Sequence, residues 1–430
     1  MSTGRRRVAA GLLSAIGLVA LLALAQPDMP RRAWQRAYPH LPARIQALPY
    51  RLQARLGGPE ATPLPVPTAD VAALPVEPTA GAPTATWEIY LLRPTPSPAP
   101  ADAVALPPTA PPLPTTPALV AALPDRVVLP PIRHEYQTWN NCGPATVSMA
   151  LSAFGDLAGQ REAAQRLKPD PDDRNVSPDE LARYARERGY AADVIVGGDI
   201  ALLQRLMAAG AAVIVEFWFI PDPNDEMGHY RLLTAYDVAA RTFGAADSYN
   251  GPAVSVPWDA FDADWRAFNR TLVAVYPAGA APAVAAALGP RGDREAMWVQ
   301  AASTAQAEVD AIGDAFAWFN LGSSLSAMGQ HAEAVAAFDR ARSLGLPWRM
   351  LWYQFAPYEA YAAVGRWDDV AALAENTLTN VGNLEESLYW RGRARQARGD
   401  LDGARADWER ARLLNPLWEA PAAALGELAP

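Results

Sequence analysis

Hydrophobic spacing between residues 126 and 279 predicts helices followed by a small antiparallel sheet. Apolar residues one helical turn apart indicate the first helix, which a glycine ends: Val147, Ala150, Leu151, Phe154 and Gly155. Ser177-Pro178-Asp179-Glu180 is a capping box for a second helix that ends at Gly189, and a third helix covers 199–209. Apolar runs predict strands at about 211–220, 229–236, 242–246 and 271–276. Helices first and strands afterwards indicate an α+β region.

The chain after residue 293 is helical in pattern and repeats itself. The positions Gly322, Gly329, Ala334, Phe338 and Ala341 recur roughly 70 residues later as Gly392, Gly399, Ala404, Trp408 and Ala411. Gly365 falls midway, and the resulting period resembles that of tetratricopeptide repeats. The resemblance implies an all-α solenoid over 314–425, preceded by a helical connector at 280–313. Its middle unit is irregular because Pro357 and Tyr358 stand where Leu and Gly are expected, and a protein partner is expected on the repeat groove.

The N-terminal 125 residues are typical of an export signal followed by a spacer. Three arginines at 5–7 precede an uncharged apolar run at 8–25. Residues 1–25 therefore predict a transmembrane anchor or, alternatively, a cleaved signal peptide. The folded regions are then extracytoplasmic, either on a single-pass protein of the cell membrane or secreted after cleavage. A basic juxtamembrane segment at 26–56 and a proline-rich disordered linker at 57–125 follow.

Composition narrows the possible chemistry. The formal net charge of −9 gives no reason to expect a nucleic-acid partner. The chain has one cysteine, Cys142, so neither an intrachain disulfide nor a thiolate zinc cluster can form. No cofactor or metal is predicted. A lone thiol is either a small buried apolar residue or a reactive centre.

The sequence around Cys142 favours a reactive thiol. Cys142 directly precedes the first predicted helix, whose dipole favours a thiolate there and lowers the thiol pKa. Gly143 allows a substrate carbonyl to approach, and Pro144 suits the first helical turn. The side-chain amide of Gln137 can donate to a developing oxyanion, together with the backbone N–H of Cys142.

Elimination among four histidines identifies the base. His40 lies in the juxtamembrane segment, His331 on a repeat helix, and His134 in an extended stretch before the nucleophile. His229 begins a strand of the same region as Cys142, so it is the predicted base. Hairpin counting places both Asp247 and Asn250 near His229. Asp247 is the preferred partner for orienting the imidazole, and Asn250 is the alternative.

These motifs in this order resemble the double-glycine (bacteriocin-leader) peptidase-like family of papain-type cysteine peptidases. The resemblance covers about 126–279 and implies a papain-like α+β fold. It also implies that Gln137 forms the oxyanion hole, Cys142 attacks, and His229 and Asp247 complete a triad. The sequence departs from the family at Asn141, where an acidic residue is usual, in a Gln–Cys gap one residue shorter, and at Asp247-Ser248, where Asp-Pro is usual.

The expected activity is therefore that of a cysteine peptidase or amidase acting on a peptide or protein, without an expectation of leader cleavage. Two other interpretations remain open from the sequence. One is a non-catalytic scaffold that binds peptides through the papain-like and repeat regions. The other is an envelope amidase acting on cell-wall peptides. Glu216, on the predicted strand at 211–220, is interpreted as a solvated or gating group.

Overall fold

The computed structural model describes residues 62–67, 123–170, 172–221 and 226–428. The predicted anchor or signal at 1–25 and the basic segment at 26–56 lie outside these residues. Within the described part of the chain, no helix is both long and apolar enough to cross a bilayer. The described residues all belong to one compact unit. Below, the α+β region means 126–279 and the repeat region means 314–425.

An antiparallel sheet forms the centre of the α+β region. In chain order its described strands are β1 (Arg126–Val128), β2 (Ala191–Ile195), β3 (Ala212–Phe219), β4 (Met227–Asp237), β5 (Thr242–Asp247), β6 (Gly251–Pro257) and β7 (Leu272–Tyr276). Their order across the sheet is β2-β7-β3-β4-β5-β6, and β1 pairs with β4. The apolar strands β3 and β7 are almost wholly buried. The register between β3 and β4 sets His229 opposite Phe217 and Tyr230 opposite Glu216.

Helices pack on this sheet and close its core. They are α1 (Cys142–Ser152), α2 (Gln160–Leu167), α3 (Pro178–Glu187), α4 (Ile200–Ala208), α5 (Trp258–Trp265) and α6 (Ala281–Leu288). Helix α1 lies against β3 and β4 and is buried from Gly143 to Leu151. Helix α3 begins with the predicted capping box, because Ser177 Oγ accepts from the Glu180 N–H and Glu180 Oε2 accepts from the Ser177 N–H. The predicted order of helices before strands is wrong at three places, since β1 precedes α1, β2 precedes α4, and α5 lies between β6 and β7.

The repeat region consists of paired helices, as predicted. After α7 (Arg294–Ala311), the pairs are α8 (Ala315–Ala327) with α9 (His331–Ser343), α11 (Ala356–Ala363) with α12 (Trp367–Val381), and α13 (Glu385–Ala397) with α14 (Leu401–Leu414). Short helices α10 (Met350–Tyr353) and α15 (Glu419–Glu427) flank the second and third pairs. A Cβ atom added at Gly322 would lie 2.7 Å from Phe338 Cε1, so the repeated glycine lets the paired helices approach closely. The irregular second pair has a first helix of eight residues.

Polar contacts join the two regions. The Arg266 guanidinium pairs with both carboxylate oxygens of Asp314, at 2.8 and 2.9 Å. Asn269, which has a left-handed backbone (φ 49°) and is buried, donates to Ser324 Oγ at 3.0 Å. Asn415 of the repeat region donates to Glu180 Oε1 of α3 at 2.9 Å. These contacts hold the repeats in a fixed position on the α+β region.

A buried cluster of carboxyl groups lies at the same junction. Asp173 and Glu180 belong to the α+β region, whereas Glu385 and Glu386 belong to α13. Burial and neighbouring carboxylates raise the pKa of Asp173 to about 9 and that of Glu385 to about 7. Burial, with the charge of Glu385, raises the pKa of Glu386 well above its ordinary value. The cluster therefore holds protons at neutral pH that an unfolded chain would release.

One short piece of the proline-rich stretch is also described. Residues 62–67 lie against the repeat region, with Leu64 packed on its core. These six residues are therefore ordered, whereas 57–61 and 68–122 of the disordered linker predicted for 57–125 lie outside the described residues.

Candidate active site

Cys142 is the first residue of α1, so the helix begins one residue earlier than the sequence predicted. Its thiol is partly buried, and the rest of the helix is packed into the core. A Cβ atom at Gly143 would lie 3.3 Å from Val176 Cβ, so the residue after the nucleophile has little room for a side chain. The end of α1 that carries the thiol is therefore rigidly placed on the sheet.

The structure brings His229 and Asp247 to this thiol. The side chain of His229 hydrogen-bonds Cys142, and its Nε2 lies 3.0 Å from Asp247 Oδ1. Since Nε2 is occupied by Asp247, Nδ1 is the ring nitrogen left for Cys142. His229 is 2% exposed and Asp247 is fully buried, so the pair is shielded from water. Phe219 stacks on the imidazole with ring centroids 4.9 Å apart.

The electrostatics favour a thiolate–imidazolium pair. Burial raises the pKa of the Cys142 thiol, but the hydrogen bond and charge of His229 lower it by more, helped by the backbone of Tyr230. Burial lowers the pKa of His229, whereas the charge and hydrogen bond of Asp247, followed by those of Cys142, raise it to about 9. Proton transfer from sulfur to imidazole is therefore favoured before any substrate binds.

Asp247 is held by several donors and, of the two candidates Asp247 and Asn250, it is the one that contacts the imidazole. Arg231 Nε donates to Oδ2 at 3.0 Å, and the backbone N–H groups of Tyr249 and Asn250 donate to Oδ1 at 2.8 and 2.9 Å. Burial alone raises the pKa of Asp247, but the charge of His229 and these partners hold it far below its ordinary value. Asn250 Nδ2 donates to Asp247 Oδ2 at 3.2 Å. Asn250 thus supports the carboxylate, and the carboxylate contacts the imidazole.

Gln137 is tied to the residue after Asp247. Ser248 Oγ donates to Gln137 Oε1 at 2.8 Å, and the Gln137 N–H donates to the Ser248 carbonyl at 2.9 Å. Because the amide oxygen accepts from Ser248, the amide nitrogen is left as the donor. The serine that distinguishes this chain from the usual Asp-Pro therefore fixes the orientation of Gln137.

Hydrogen bonds to residues of other elements hold the turn between Gln137 and Cys142 in place. Asn140 has a left-handed backbone (φ 53°), its side chain donates to the Arg174 carbonyl, and its own carbonyl accepts from Lys168 Nζ. Gln160 Oε1 accepts from the Thr138 N–H at 2.8 Å. The positive charge of Lys168 also lowers the pKa of Cys142.

Glu216 lies under the site and is not a solvated group. It is 4% exposed, and its side chain hydrogen-bonds Tyr230 across the β3–β4 pair. Burial and the Cys142 charge raise its pKa well above the ordinary value, which favours the protonated carboxyl. The interpretation as a solvated group is wrong because β3 is covered on both faces.

The repeat region reaches the site through α10. Tyr353 is partly buried and lies against Gly228, beside His229. Burial and the charge of Cys142 raise the pKa of its hydroxyl. A Cβ atom at Gly228 would lie 3.0 Å from Tyr353 Cε2, so the contact is close. Arg349 Nη1 donates to the Glu226 carbonyl at 2.7 Å. The start of β4 is therefore held partly by the repeats.

Sequence reasoning missed several members of this site. Arg231 lies two residues after His229 on β4, so strand alternation alone would have placed both on one face. His134 Nε2 lies 3.0 Å from the Asp247 carbonyl, although the sequence reasoning passed over it. Ser248 and Tyr353 have no local signal in the sequence. Among the described residues, no group of three His, Cys, Asp or Glu side chains could hold a metal ion.

A cysteine at the N-terminus of a buried helix, facing a histidine and an aspartate on an antiparallel sheet, defines a region of the cysteine peptidase class. Residues 130–273 match the model of the Peptidase_C39 like family, and residues 316–344 match that of the tetratricopeptide repeat. These matches confirm both resemblances predicted from the sequence. The chain therefore combines a region similar to the Peptidase_C39 like family with a helical region similar to tetratricopeptide repeats.

One similar solved structure is a double glycine motif protease from an AMS/PCAT transporter, in complex with the leader peptide. It is 16% identical over 35% of this chain and 94% of that one, with a TM-score of 0.27. No curated protein matches this chain.

Proposed function

We propose that this protein is a thiol peptidase or amidase in which Cys142 is the nucleophile. The observation that carries the proposal is the continuous contact from Cys142 through His229 to Asp247, with pKa shifts that favour a thiolate and an imidazolium. A cysteine kept only for packing needs no such partners. The proposed role of Gln137 is to donate its amide N–H to the oxyanion.

The proposed reaction proceeds through an acyl-enzyme. The Cys142 thiolate attacks the carbonyl carbon, a C–S bond forms, and the carbonyl oxygen takes the electron pair as an oxyanion. Gln137 and the Cys142 backbone N–H donate to that oxygen. As the C–N bond breaks, the His229 imidazolium gives its proton to the leaving amine. Water then attacks the thioester and gives a proton to His229, and the thiolate leaves as the acid is released.

The proposed substrate is a peptide or an amide with an apolar side chain near the scissile bond. Trp139, three residues before the nucleophile, is 42% exposed, and Tyr136 is 53% exposed. Exposed aromatic side chains beside a reactive thiol provide apolar contact area, which favours an apolar substrate side chain over a charged one. The net negative charge of the chain gives no reason to favour an acidic substrate.

The proposal is tested by alkylation and by peptide hydrolysis on the full-length chain. Because Cys142 is the only cysteine, the mass gained with iodoacetamide reports that thiol alone. We expect Cys142 to react at neutral pH at least ~10-fold faster than a cysteine in an unstructured peptide, since its thiolate is stabilised. We expect His229→Ala to remove that excess and His331→Ala, a histidine of the repeat region, to leave it unchanged.

Hydrolysis is measured with a mixed peptide library, with products identified by mass spectrometry. Cleavage that disappears in both Cys142→Ala and His229→Ala supports the proposal. The proposal fails if Cys142 reacts no faster than the free peptide thiol and Cys142→Ala leaves the product pattern unchanged.

We further propose that residues 1–25 export the chain and tether it to the cell membrane. The support is the arginine triplet followed by the uncharged run at 8–25. N-terminal sequencing of the mature protein, with fractionation of membranes, tests it. A mature protein that begins after residue 25 and is found free of membranes would exclude the tether and leave only export.

A further inference from the structure

The described piece of the proline-rich stretch is bound to the repeats by specific polar contacts. Asn380 Oδ1 accepts from the Thr62 N–H at 3.0 Å, and Asn380 Nδ2 donates to the Thr62 carbonyl at 3.1 Å. Asn376 Nδ2 donates to the carbonyls of Thr62 and Pro63, at 3.0 and 2.8 Å. The two asparagines lie one turn apart on α12, so they present their amides to the same stretch of backbone.

A second set of donors binds the other end of the segment. Arg342 of α9 donates to the Pro65 carbonyl through Nε and Nη2, at 3.0 and 2.6 Å. The third nitrogen of this guanidinium donates to Asp369 Oδ1 at 2.8 Å and to the Tyr361 hydroxyl at 3.0 Å. The bonds to Asp369 and Tyr361 do not involve the segment, so they orient the guanidinium before any peptide binds.

Between these polar contacts, one apolar side chain enters the repeat core. Leu64 packs against this core. Together with Phe319, Phe338, Leu346, Leu351, Pro357 and Leu373 it lines a small apolar pocket between the first and second helix pairs. Pro357 is the residue that breaks the repeat signature of the second pair. The irregularity of that pair is therefore part of the pocket.

The donors on the groove match a backbone rich in acceptors. In Thr62-Pro63-Leu64-Pro65-Val66-Pro67 every second residue is proline, which has a carbonyl and no N–H. Such a sequence favours the extended polyproline conformation, which binds at low entropic cost. Apart from Asn380 Oδ1, the groove atoms that bond the segment are all N–H donors.

The asparagines themselves indicate a binding role. Asn is a poor residue for a helix interior because its side chain competes with the backbone. Asn376 is nevertheless buried in the middle of α12, where its amide donates to residues distant in the chain. A helix under selection for packing alone would carry an apolar or a better helix-forming residue there.

We propose that the groove between α9 and α12 is a recognition site for extended proline-rich peptides of the type Thr-Pro-Leu-Pro, and that residues 62–67 occupy it in cis. A peptide of the same type in trans displaces this segment. The triplet Pro63-Leu64-Pro65 recurs in the chain as Pro112-Leu113-Pro114. In that second copy Pro111 stands in place of Thr62, so it has no N–H to donate to Asn380.

Fluorescence polarisation on the full-length chain tests the proposal. The probe is a labelled Thr-Pro-Leu-Pro-Val-Pro peptide, and the cis segment is released by Leu64→Asp. We expect the Leu64→Asp chain to bind the probe at least ~10-fold more tightly than the natural chain, in which the tethered segment competes at high effective concentration. Leu64→Ala, which keeps an apolar side chain, should give an intermediate affinity and covers the case in which Leu64→Asp misfolds.

Two further comparisons locate the site. In the Leu64→Asp background, Asn376→Ala should weaken binding, whereas Thr379→Ala on the exposed face of the same helix should not. A Pro-Pro-Leu-Pro-Thr-Thr peptide should bind about 2- to 10-fold more weakly than the probe, the value of one hydrogen bond. Asn380→Ala should remove that difference.

Any of three results overturns the proposal. One is that the folded Leu64→Asp and Leu64→Ala chains both fail to bind the probe at millimolar concentration. Another is that the natural chain and both Leu64 variants bind it equally. The third is that Asn376→Ala and Thr379→Ala weaken binding equally.

Discussion

Asp247→Asn tests the electrostatic basis of the proposed mechanism. The substitution keeps the shape of the side chain and an oxygen that can accept from His229, but it removes the buried negative charge. In the folded chain the pKa of His229 is about 9, against an ordinary value of 6.5. At about 1.4 kcal/mol per unit, the surroundings stabilise the imidazolium by about 3 kcal/mol, and Asp247 is the largest favourable contributor.

Without the Asp247 charge, burial dominates and lowers the pKa of His229. We expect it to fall from about 9 to its ordinary 6.5 or below. The thiolate loses its cation over the same range, so the pKa of Cys142 rises. The pH window in which the ion pair exists therefore narrows from both sides in Asp247→Asn.

The assay is the rate of iodoacetamide alkylation of Cys142 as a function of pH, read by intact mass. The matched control is Asp259→Asn, whose side chain is 91% exposed on α5. Circular dichroism must accompany the assay, because Arg231 is left buried without its carboxylate, at a cost of about 3–5 kcal/mol. If folded Asp247→Asn keeps its upper inflection near 9, or if Asp259→Asn shifts it equally, the electrostatic account is wrong.

Three other changes give distinct outcomes. Ser248→Ala should lower kcat about 10-fold or more, because Gln137 is no longer held as the oxyanion donor, while the alkylation rate of the Cys142 thiol stays unchanged. An equal loss of kcat and of alkylation rate would contradict this role of Ser248. The free energy of unfolding should fall as pH rises from about 4, where these carboxyls ionise in the unfolded chain, to about 9, the pKa of Asp173 in the folded chain, because the folded chain binds more protons over this range. Glu386→Gln should reduce that fall in urea titrations. Gly322→Ala should destabilise the repeats by about 1–3 kcal/mol, because the added methyl group would clash with Phe338. Gly426→Ala, which adds a methyl group in open space, should not lower Tm, and equal melting temperatures for the two variants would refute the packing argument.

Local sequence signals predicted the parts of the fold that depend on neighbouring residues. The capping box at Ser177 and the helix after Cys142 follow from short-range hydrogen bonds and apolar spacing, and the structure contains both. The repeat signature predicted the close approach at Gly322 for the same reason. By contrast, β6 is an edge strand with several exposed residues, so it lacks the apolar run that marked β3.

The sequence predicted only those contacts of the site that the pairing of β4 with β5 creates. His229 and Asp247 lie on adjacent strands, so hairpin counting brought them together, but it could not separate Asp247 from Asn250. That choice depends on the turn after β5, in which Asn250 folds back onto the carboxylate. Tyr353 reaches the site from more than a hundred residues away through the packing of two regions, which no periodicity encodes.

The bound segment at 62–67 gives the proline-rich stretch a second point of attachment to the folded unit. Both ends of that stretch are fixed to the same body, at the repeats through Thr62–Pro67 and at the sheet through β1. A single peptide-bond cut between residues 67 and 126 would therefore leave both fragments bound to the same folded unit, because the groove holds Thr62–Pro67 of the upstream fragment.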